Sequence, residues 1–260
     1  MKYESQADAV GHFLLKKYTG ADYPKNPRSS VPTFHNSIEI IVVVRGEFDV
    51  YINGAWHSFG GGSVVYIDKL VPHLTSASDS VDDLEAYALV ITLPYLSLPT
   101  KNGDMTFDAI LPHNREAFSE LSEFIAWGYE HFKEMNTEMK SGFAALVLGI
   151  MKKHYQMHKK ESQRQTKLLF KVLEYINRHY SERITLDELA RSFGYEKTYL
   201  SKIFNSLLGM NLREYLNRYR IAMVNMERKQ SAETSLWEIA ERCGFESPNT
   251  FYRAYKKYSE

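Results

Sequence analysis

Cysteine is nearly absent from this 260-residue chain: Cys243 is the only one, so no disulfide can form within it. Placed before Gly244 on the core side of a helix, Cys243 reads as a small buried apolar residue rather than a reactive thiol. Long apolar runs are missing too, since the longest, Phe143 to Met151, is too short to span a bilayer. No signal peptide is visible, because Met1-Lys2-Tyr3-Glu4 leads into a polar segment. A soluble, cytoplasmic protein with no membrane partner is therefore expected. Net charge is lacking as well, with 32 Lys and Arg set against 32 Asp and Glu. The balance is uneven along the chain. Residues 161–260 hold 17 basic against 13 acidic side chains, and the remainder holds 15 against 19. A basic C-terminal part on an acidic N-terminal part suits a nucleic-acid reader with a separate sensor. The length agrees with two domains.

What is present is a repeat. Leu186-Asp187-Glu188-Leu189-Ala190-Arg191-Ser192-Phe193-Gly194-Tyr195-Glu196 recurs as Leu236-Trp237-Glu238-Ile239-Ala240-Glu241-Arg242-Cys243-Gly244-Phe245-Glu246, at a constant offset of 50. Thr185 with Glu188, and Ser235 with Glu238, have capping-box spacing and predict helix starts. Leu186, Leu189, Ala190 and Phe193 follow helical spacing. Gly194 stands where a left-handed residue would end the first helix. A second helix is expected from Lys197, and its counterpart from Ser247-Pro248. Each copy is thus a helix-turn-helix. Asn211 and Glu214 cap the connection, where Leu212, Tyr215, Leu216, Tyr219, Ala222, Met223 and Met226 form an apolar stripe. From Leu212 to Arg228 that helix would span roughly 25 Å, enough to hold two reading helices near one DNA turn apart, about 34 Å.

The paired units, closed by Gly244-Phe245-Glu246-Ser247-Pro248-Asn249-Thr250-Phe251-Tyr252-Arg253-Ala254-Tyr255-Lys256-Lys257-Tyr258, resemble the DNA-binding domain of AraC/XylS-type transcription regulators over residues 166–260. Such domains usually run on through a Gly- and Pro-containing tail, whereas this chain stops at Ser259-Glu260. The resemblance implies Thr198, Ser201 and Lys202 as base-facing residues of the first unit, and Asn249, Tyr252 and Arg253 as those of the second. Lys and Arg donate to guanine, and Asn pairs with adenine. Lys256, Lys257 and Arg220 are expected at phosphates or as solvated charges, while Leu200, Ile203 and Phe204 belong to the core.

The N-terminal part reads as strands. Ile38 to Val44 is β-branched, and Glu47 to Ile52 alternates, with Phe48, Val50 and Ile52 on one face. Asn53-Gly54 marks a hairpin into Ala55 to Phe59. Gly60 to Gly62 breaks the pattern before Ser63 to Ile67, and Leu84 to Leu93 forms a longer strand. Residues 1–30 read as an arm with a short helix around Ala9 to Lys17. Many short strands suggest a small barrel or sandwich.

His35, Glu39 and Gly46, and then Gly62, Asp68 and His73, have the spacings of the two cupin motifs and resemble the sensor half of many AraC-type regulators. Thr33 stands where a metallocupin has a second histidine, and Asp68 and Leu70 replace the usual Pro and Gly. A two-His-one-carboxylate metal site at His35, Glu39 and His73 is weighed against an organic effector in the barrel mouth. The effector is preferred, a sugar being one candidate, with no metal, no cofactor and no catalytic residue.

Residues 114–135 and 137–158 are expected to be helical. Phe118, Leu121, Phe124, Ile125, Tyr129 and Phe132 make one stripe, and Phe143, Leu146, Val147, Ile150 and Met151 another. They suit packing on the barrel or a dimer interface, and helices at this place in the family often pair two subunits. Residues 154–163 read as a polar linker with a solvated His154/His158 pair.

The expected class is α+β: an N-terminal cupin-like β-barrel with a helical hairpin, then an all-α tandem helix-turn-helix domain. The arm and effector domain take 1–108, the helical dimerisation segment and linker 109–160, and the DNA-binding domain 161–260. The expected function is a sequence-specific transcription regulator. Its expected partners are double-stranded DNA, a small effector, a second copy of the chain and RNA polymerase. Two rivals are a regulator whose β-domain only dimerises, and a metal-dependent cupin enzyme fused to a DNA-binding domain.

Overall fold

The computed structural model describes residues 13–19, 32, 35, 37–77, 83–92, 105–159, 164–230 and 234–259. The N-terminal part is two antiparallel sheets. One has the order β1-β7-β2-β5, from β1 (Leu14–Thr19), β2 (Ser37–Arg45), β5 (Ser63–Ile67) and β7 (Glu85–Thr92). The other has the order β4-β3-β6, from β3 (Glu47–Ile52), β4 (Ala55–Gly60) and β6 (His73–Ala77). The unbroken apolar run of β2 has a simple cause: both faces are covered. Ile41 and Val43 face Phe48, Val50 and Ile52 across the gap between the sheets. Ile38, Ile40 and Val42 face the helices on the other side.

The chain passes from one sheet to the other at Gly46, whose φ is +74°. A Cβ there would lie 2.8 Å from Leu84 Cα, so only glycine fits this corner. The hairpin from β3 to β4 turns on Asn53 and Gly54, both at positive φ, as a tight turn of the favoured twist requires.

Two expectations are corrected here, and one strand is added. Among the described residues no hydrogen-bonded ladder joins the two sheets, so the β-domain is a sandwich rather than a closed barrel. Residues 14–17 are strand rather than helix, because β1 pairs with β7 along its whole length; residues 9–12 of that expected helix lie outside the described residues. β6 was not foreseen in the short, mostly polar stretch that forms it.

Two helices, α1 (Arg115–His131) and α2 (Thr137–His154), are capped by Asn114 and Asn136. They lie on the outer face of the four-stranded sheet. Leu121, Ile125, Phe143, Val147 and Met151 share one core with Ile38, Ile40, Val42 and Leu89. Much of both stripes is therefore satisfied within the chain. The short pair β8 (Met105–Thr106) and β9 (His158–Lys159) brings the two ends of this region together. His154 ends α2 as a buried side chain 3.2 Å from Glu120 Oε1, and His158 lies in β9, so the two histidines are not a solvated helical pair.

The C-terminal part is all helix: α3 (Arg164–His179), α4 (Leu186–Phe193), α5 (Lys197–Leu208), α6 (Leu212–Gln230), α7 (Leu236–Arg242) and α8 (Pro248–Tyr258). Both capping boxes form, and Gly194 is left-handed at φ 71°. Asn211 accepts from Glu214 N at 2.9 Å at the start of α6. Its 19 residues span about 28 Å. One half of α6 supplies Leu212, Tyr215, Leu216 and Tyr219 to the first unit's core, and the other supplies Ile221 and Val224 to the second. Phe251, Ala254 and Tyr258 seat α8 against that second core. Among the described residues no helix is long and apolar enough to cross a membrane.

Cys243 lies in this core, and burial, with Glu227 beside it, pushes its thiol up to about 12. The thiolate is the reactive form. Native protein at pH 8 is expected to resist a disulfide reagent such as DTNB, and to react fully once denatured. Stoichiometric labelling of the native protein within minutes would contradict the burial.

Candidate nucleic-acid interface and buried polar cluster

Thr198, Ser201 and Lys202 fall on one face of α5, because positions three and four apart share a face. The opposite face carries Leu200, Ile203, Phe204 and Leu208, all buried. Thr198 and Lys202 are exposed, and Ser201 is half-buried, its carbonyl accepting from Asn205 Nδ2 at 2.9 Å. Asn205 continues the exposed face one turn on; its i+4 spacing from Ser201 could have marked it in the sequence.

In α8 the division is the same. Asn249, Tyr252, Arg253, Lys256 and Lys257 are exposed, opposite Phe251, Ala254 and Tyr258. Lys202 and Arg253 make no hydrogen bond or ion pair among the described residues. Lys257 lies over the Tyr258 ring at 4.9 Å.

Arg220 departs from its expected place at the surface. It is buried in α6, where Nε donates to Tyr180 O at 2.7 Å and an Nη to Glu182 O at 2.8 Å. Its guanidinium also lies 5.9 Å from the Phe245 ring, and burial lowers its pKa. It therefore ties the end of α3 to the spacer helix.

The two halves meet at the tip of the β3–β4 hairpin. Tyr51 donates its hydroxyl to Leu208 O at 2.8 Å, at the C-terminal end of α5. Gly209 caps that end in the left-handed conformation, φ +63°, and a Cβ there would overlap the Tyr51 hydroxyl.

The second cluster is inside the sandwich. Glu39 shares the inward parity of Ile41 and Val43 on β2, so a carboxylate stands among apolar neighbours. His35 precedes β2, and His73 opens β6 on the other sheet. All three are nearly closed to solvent, at 2%, 5% and 2% exposure for His35, Glu39 and His73. Each imidazole donates Nδ1–H to a backbone carbonyl, His35 to Ser37 O at 3.0 Å and His73 to Val71 O at 2.9 Å. Both Nε2 atoms then converge on Glu39 Oε2, at 3.3 and 3.2 Å. Burial alone would raise the Glu39 carboxyl; hydrogen bonds and charge from the two histidines outweigh it and hold the group well below the usual carboxylate range. Thr33, the expected departure from a metal-binding pattern, lies outside the described residues.

Residues 189–260 match a family described as "Helix-turn-helix domain". The HTH-type transcriptional activator AarP of Providencia stuartii is 31% identical over 100 residues, covering 38% of this chain and 73% of AarP. The HTH-type transcriptional activator RhaS of Citrobacter koseri is 23% identical over 260 residues, covering 96% of this chain and 92% of RhaS. Among solved structures, unsaturated fatty acid bound ToxT from Vibrio cholerae strain SCE256 superposes with a TM-score of 0.52 at 16% identity, covering 95% of this chain and 91% of ToxT.

Proposed function

The chain belongs to the AraC/XylS-type family of transcription regulators, and from that membership we propose how its parts divide the work. It binds DNA and regulates transcription. In our reading, Thr198, Ser201 and Lys202 on α5, and Asn249, Tyr252 and Arg253 on α8, face bases in successive major grooves, while Lys256 and Lys257 meet phosphates. The observation that carries this reading is the pair of matched helices whose inner faces are buried and whose outer faces keep Lys202 and Arg253 exposed and uncommitted. Selection of preferred DNA sites from a random pool tests it. A two-part motif is expected, and recovery of no motif would sink the reading.

The N-terminal sandwich is the sensor in this proposal, with His35, Glu39 and His73 as its ligand-binding polar cluster. ToxT, which shares the fold, has been solved with an unsaturated fatty acid. The cluster serves binding rather than catalysis, and the protein works in the cytoplasm alongside RNA polymerase. The division proposed is sensor 1–108, helical segment 109–160 and DNA-binding domain 161–260.

The proposed assembly is a homodimer through the outer face of α1 and α2, where Trp127 and Leu146 remain 45% and 58% exposed. Ile125 is no probe of this face, since it is fully buried and a charge there would unfold the domain. Trp127→Glu combined with Leu146→Glu is expected to give folded monomers by sedimentation velocity. A folded dimer with both charges in place would put the interface elsewhere.

A further inference from the structure

We propose that Arg220 is a positioning residue for DNA reading: with the turn at 180–182 and Gly244 it forms a brace beside α6 that sets the angle between the two reading helices, and so the number of base pairs accepted between the two half-sites. This rests on the reading of α5 and α8 given above, and adds what governs the distance between their targets.

The first ground is where the turn lies. Residues 180–182 follow α3, whose Leu169, Val172, Leu173 and Ile176 belong to the first unit's core. Tyr180 nonetheless packs against both cores. Its ring meets that of Tyr219 edge-on at 5.3 Å. The second ground is a close approach of main chains. Gly244, in the turn between α7 and α8, has φ +92°, and a Cβ there would lie 2.7–2.9 Å from the backbone of Ser181. The second unit's turn is therefore seated on the backbone that ends α3. The third ground is Arg220 itself, which stands on α6 between the residues that serve the first core and those that serve the second. Its guanidinium donates to the carbonyls of Tyr180 and Glu182 and also lies 5.9 Å from the Phe245 ring, so one side chain touches both units.

These contacts change the mechanics of the pair. α6 joins the units in sequence and sets their separation along its axis. A long helix by itself bends gently; a second connection off its axis resists bending and the rotation of one unit against the other. DNA makes that angle matter. One base pair inserted between half-sites moves the second by about 3.4 Å and turns it by about 34–36° around the duplex. Helices held at a fixed angle cannot follow that turn without losing contacts, whereas a loosened pair can. As orientations broaden, the effective concentration of the second helix at its groove falls. A loosened pair therefore gains less from the correct spacing and loses less from a wrong one.

Arg220→Lys and Gly244→Ala loosen the brace from its two sides. Both are compared with wild type as full chains, at a temperature where circular dichroism shows each folded. Site selection should return the same two half-motifs for all three. For wild type, one base pair inserted or removed between the half-motifs should weaken binding about tenfold or more, the loss expected when one reading helix misses its bases. In each variant that penalty should shrink to about threefold or less. A second readout needs no DNA. Nitroxides on Arg191→Cys and Glu241→Cys, exposed positions of α4 and α7 outside the reading faces, report the distance between the units by double electron–electron resonance. Labelled chain is diluted into unlabelled chain so that only distances within one chain are read, and buried Cys243 stays unlabelled. One narrow distribution is expected without further change, and a broader one with either brace variant. Equal widths in all three, or a spacing penalty that persists in both variants, overturns the brace and leaves the two reading helices standing. Loss of a half-motif in a folded variant also overturns it, since the residues would then serve reading itself. A wild-type chain that selects no two-part motif sinks the reading of the helices and the spacing role with it.

Discussion

Lys202→Ala and Arg253→Ala should relax sequence preference at two separate positions, about 10 base pairs or one helical turn apart. Each lesion is expected to cost about 1–3 kcal/mol on the preferred site, roughly 5- to 150-fold in affinity, and far less on random DNA. The basis is structural. Both side chains project from the exposed face of a helix whose other face is anchored in its own core, and neither is engaged by another described residue. Because α6 contributes to both cores, the two reading faces are held by one rigid element. Lys257→Ala supplies the contrast. A lost phosphate contact weakens all sequences alike and flattens the salt dependence by about one unit of slope. Site selection with wild type and each variant, followed by salt titrations, measures all three effects. If Arg253→Ala leaves motif and affinity untouched while Lys202→Ala abolishes binding, the second unit does not read bases.

Arg220→Ala should destabilise the DNA-binding half by about 3 kcal/mol or more. Charge-assisted hydrogen bonds contribute roughly 1.5–3 kcal/mol each, and buried partners left unmatched add their own penalty. Two carbonyls, those of Tyr180 and Glu182, would lose their donor. A loss of this size is a large part of the about 5–15 kcal/mol that holds a typical domain folded. Arg220→Lys should recover little, because an ammonium on a flexible stem does not reproduce the fork of a guanidinium. Arg213→Ala, at an exposed position of the same helix, is the control, expected within about 0.5 kcal/mol of wild type. Urea denaturation of the three variants decides the matter. A cost below about 1 kcal/mol for Arg220→Ala would mean that the segment following α3 is held by something else.

The tandem units were legible because their signals are local. A capping box spans four residues, and a left-handed glycine needs no distant partner; Thr185, Ser235 and Gly194 all stand where spacing put them. The hairpin at Asn53-Gly54 was readable for the same reason. Features set by long-range pairing were hidden. β1 carries adjacent lysines and no clean alternation, and it is a strand only because β7 is there to pair with it. The stripes on α1 and α2 announced burial but could not say against what; the answer, largely the outer face of the four-stranded sheet, depends on how the whole chain folds. Arg220 looked like a surface charge because its acceptors lie some 40 residues away in sequence. In the polar cluster, spacing nominated His35, Glu39 and His73. That both Nε2 atoms meet one carboxylate oxygen follows from strand register and from a crossing between sheets that periodicity does not encode.

The Tyr51 hydroxyl sets a rule of compatibility between the halves of this molecule. A side chain at position 209 would push aside the Tyr51 hydroxyl that reaches the last carbonyl of the reading helix, and the left-handed backbone there strains residues other than glycine. A DNA-binding half grafted from a relative would therefore keep this contact with the sensor most readily where glycine follows its first reading helix. A sensor grafted the other way would need a hydroxyl of the same reach to keep the contact. Interchange of parts is thus limited at one place by an oxygen and a missing methyl group, although the two hydrophobic interiors of the halves are otherwise separate.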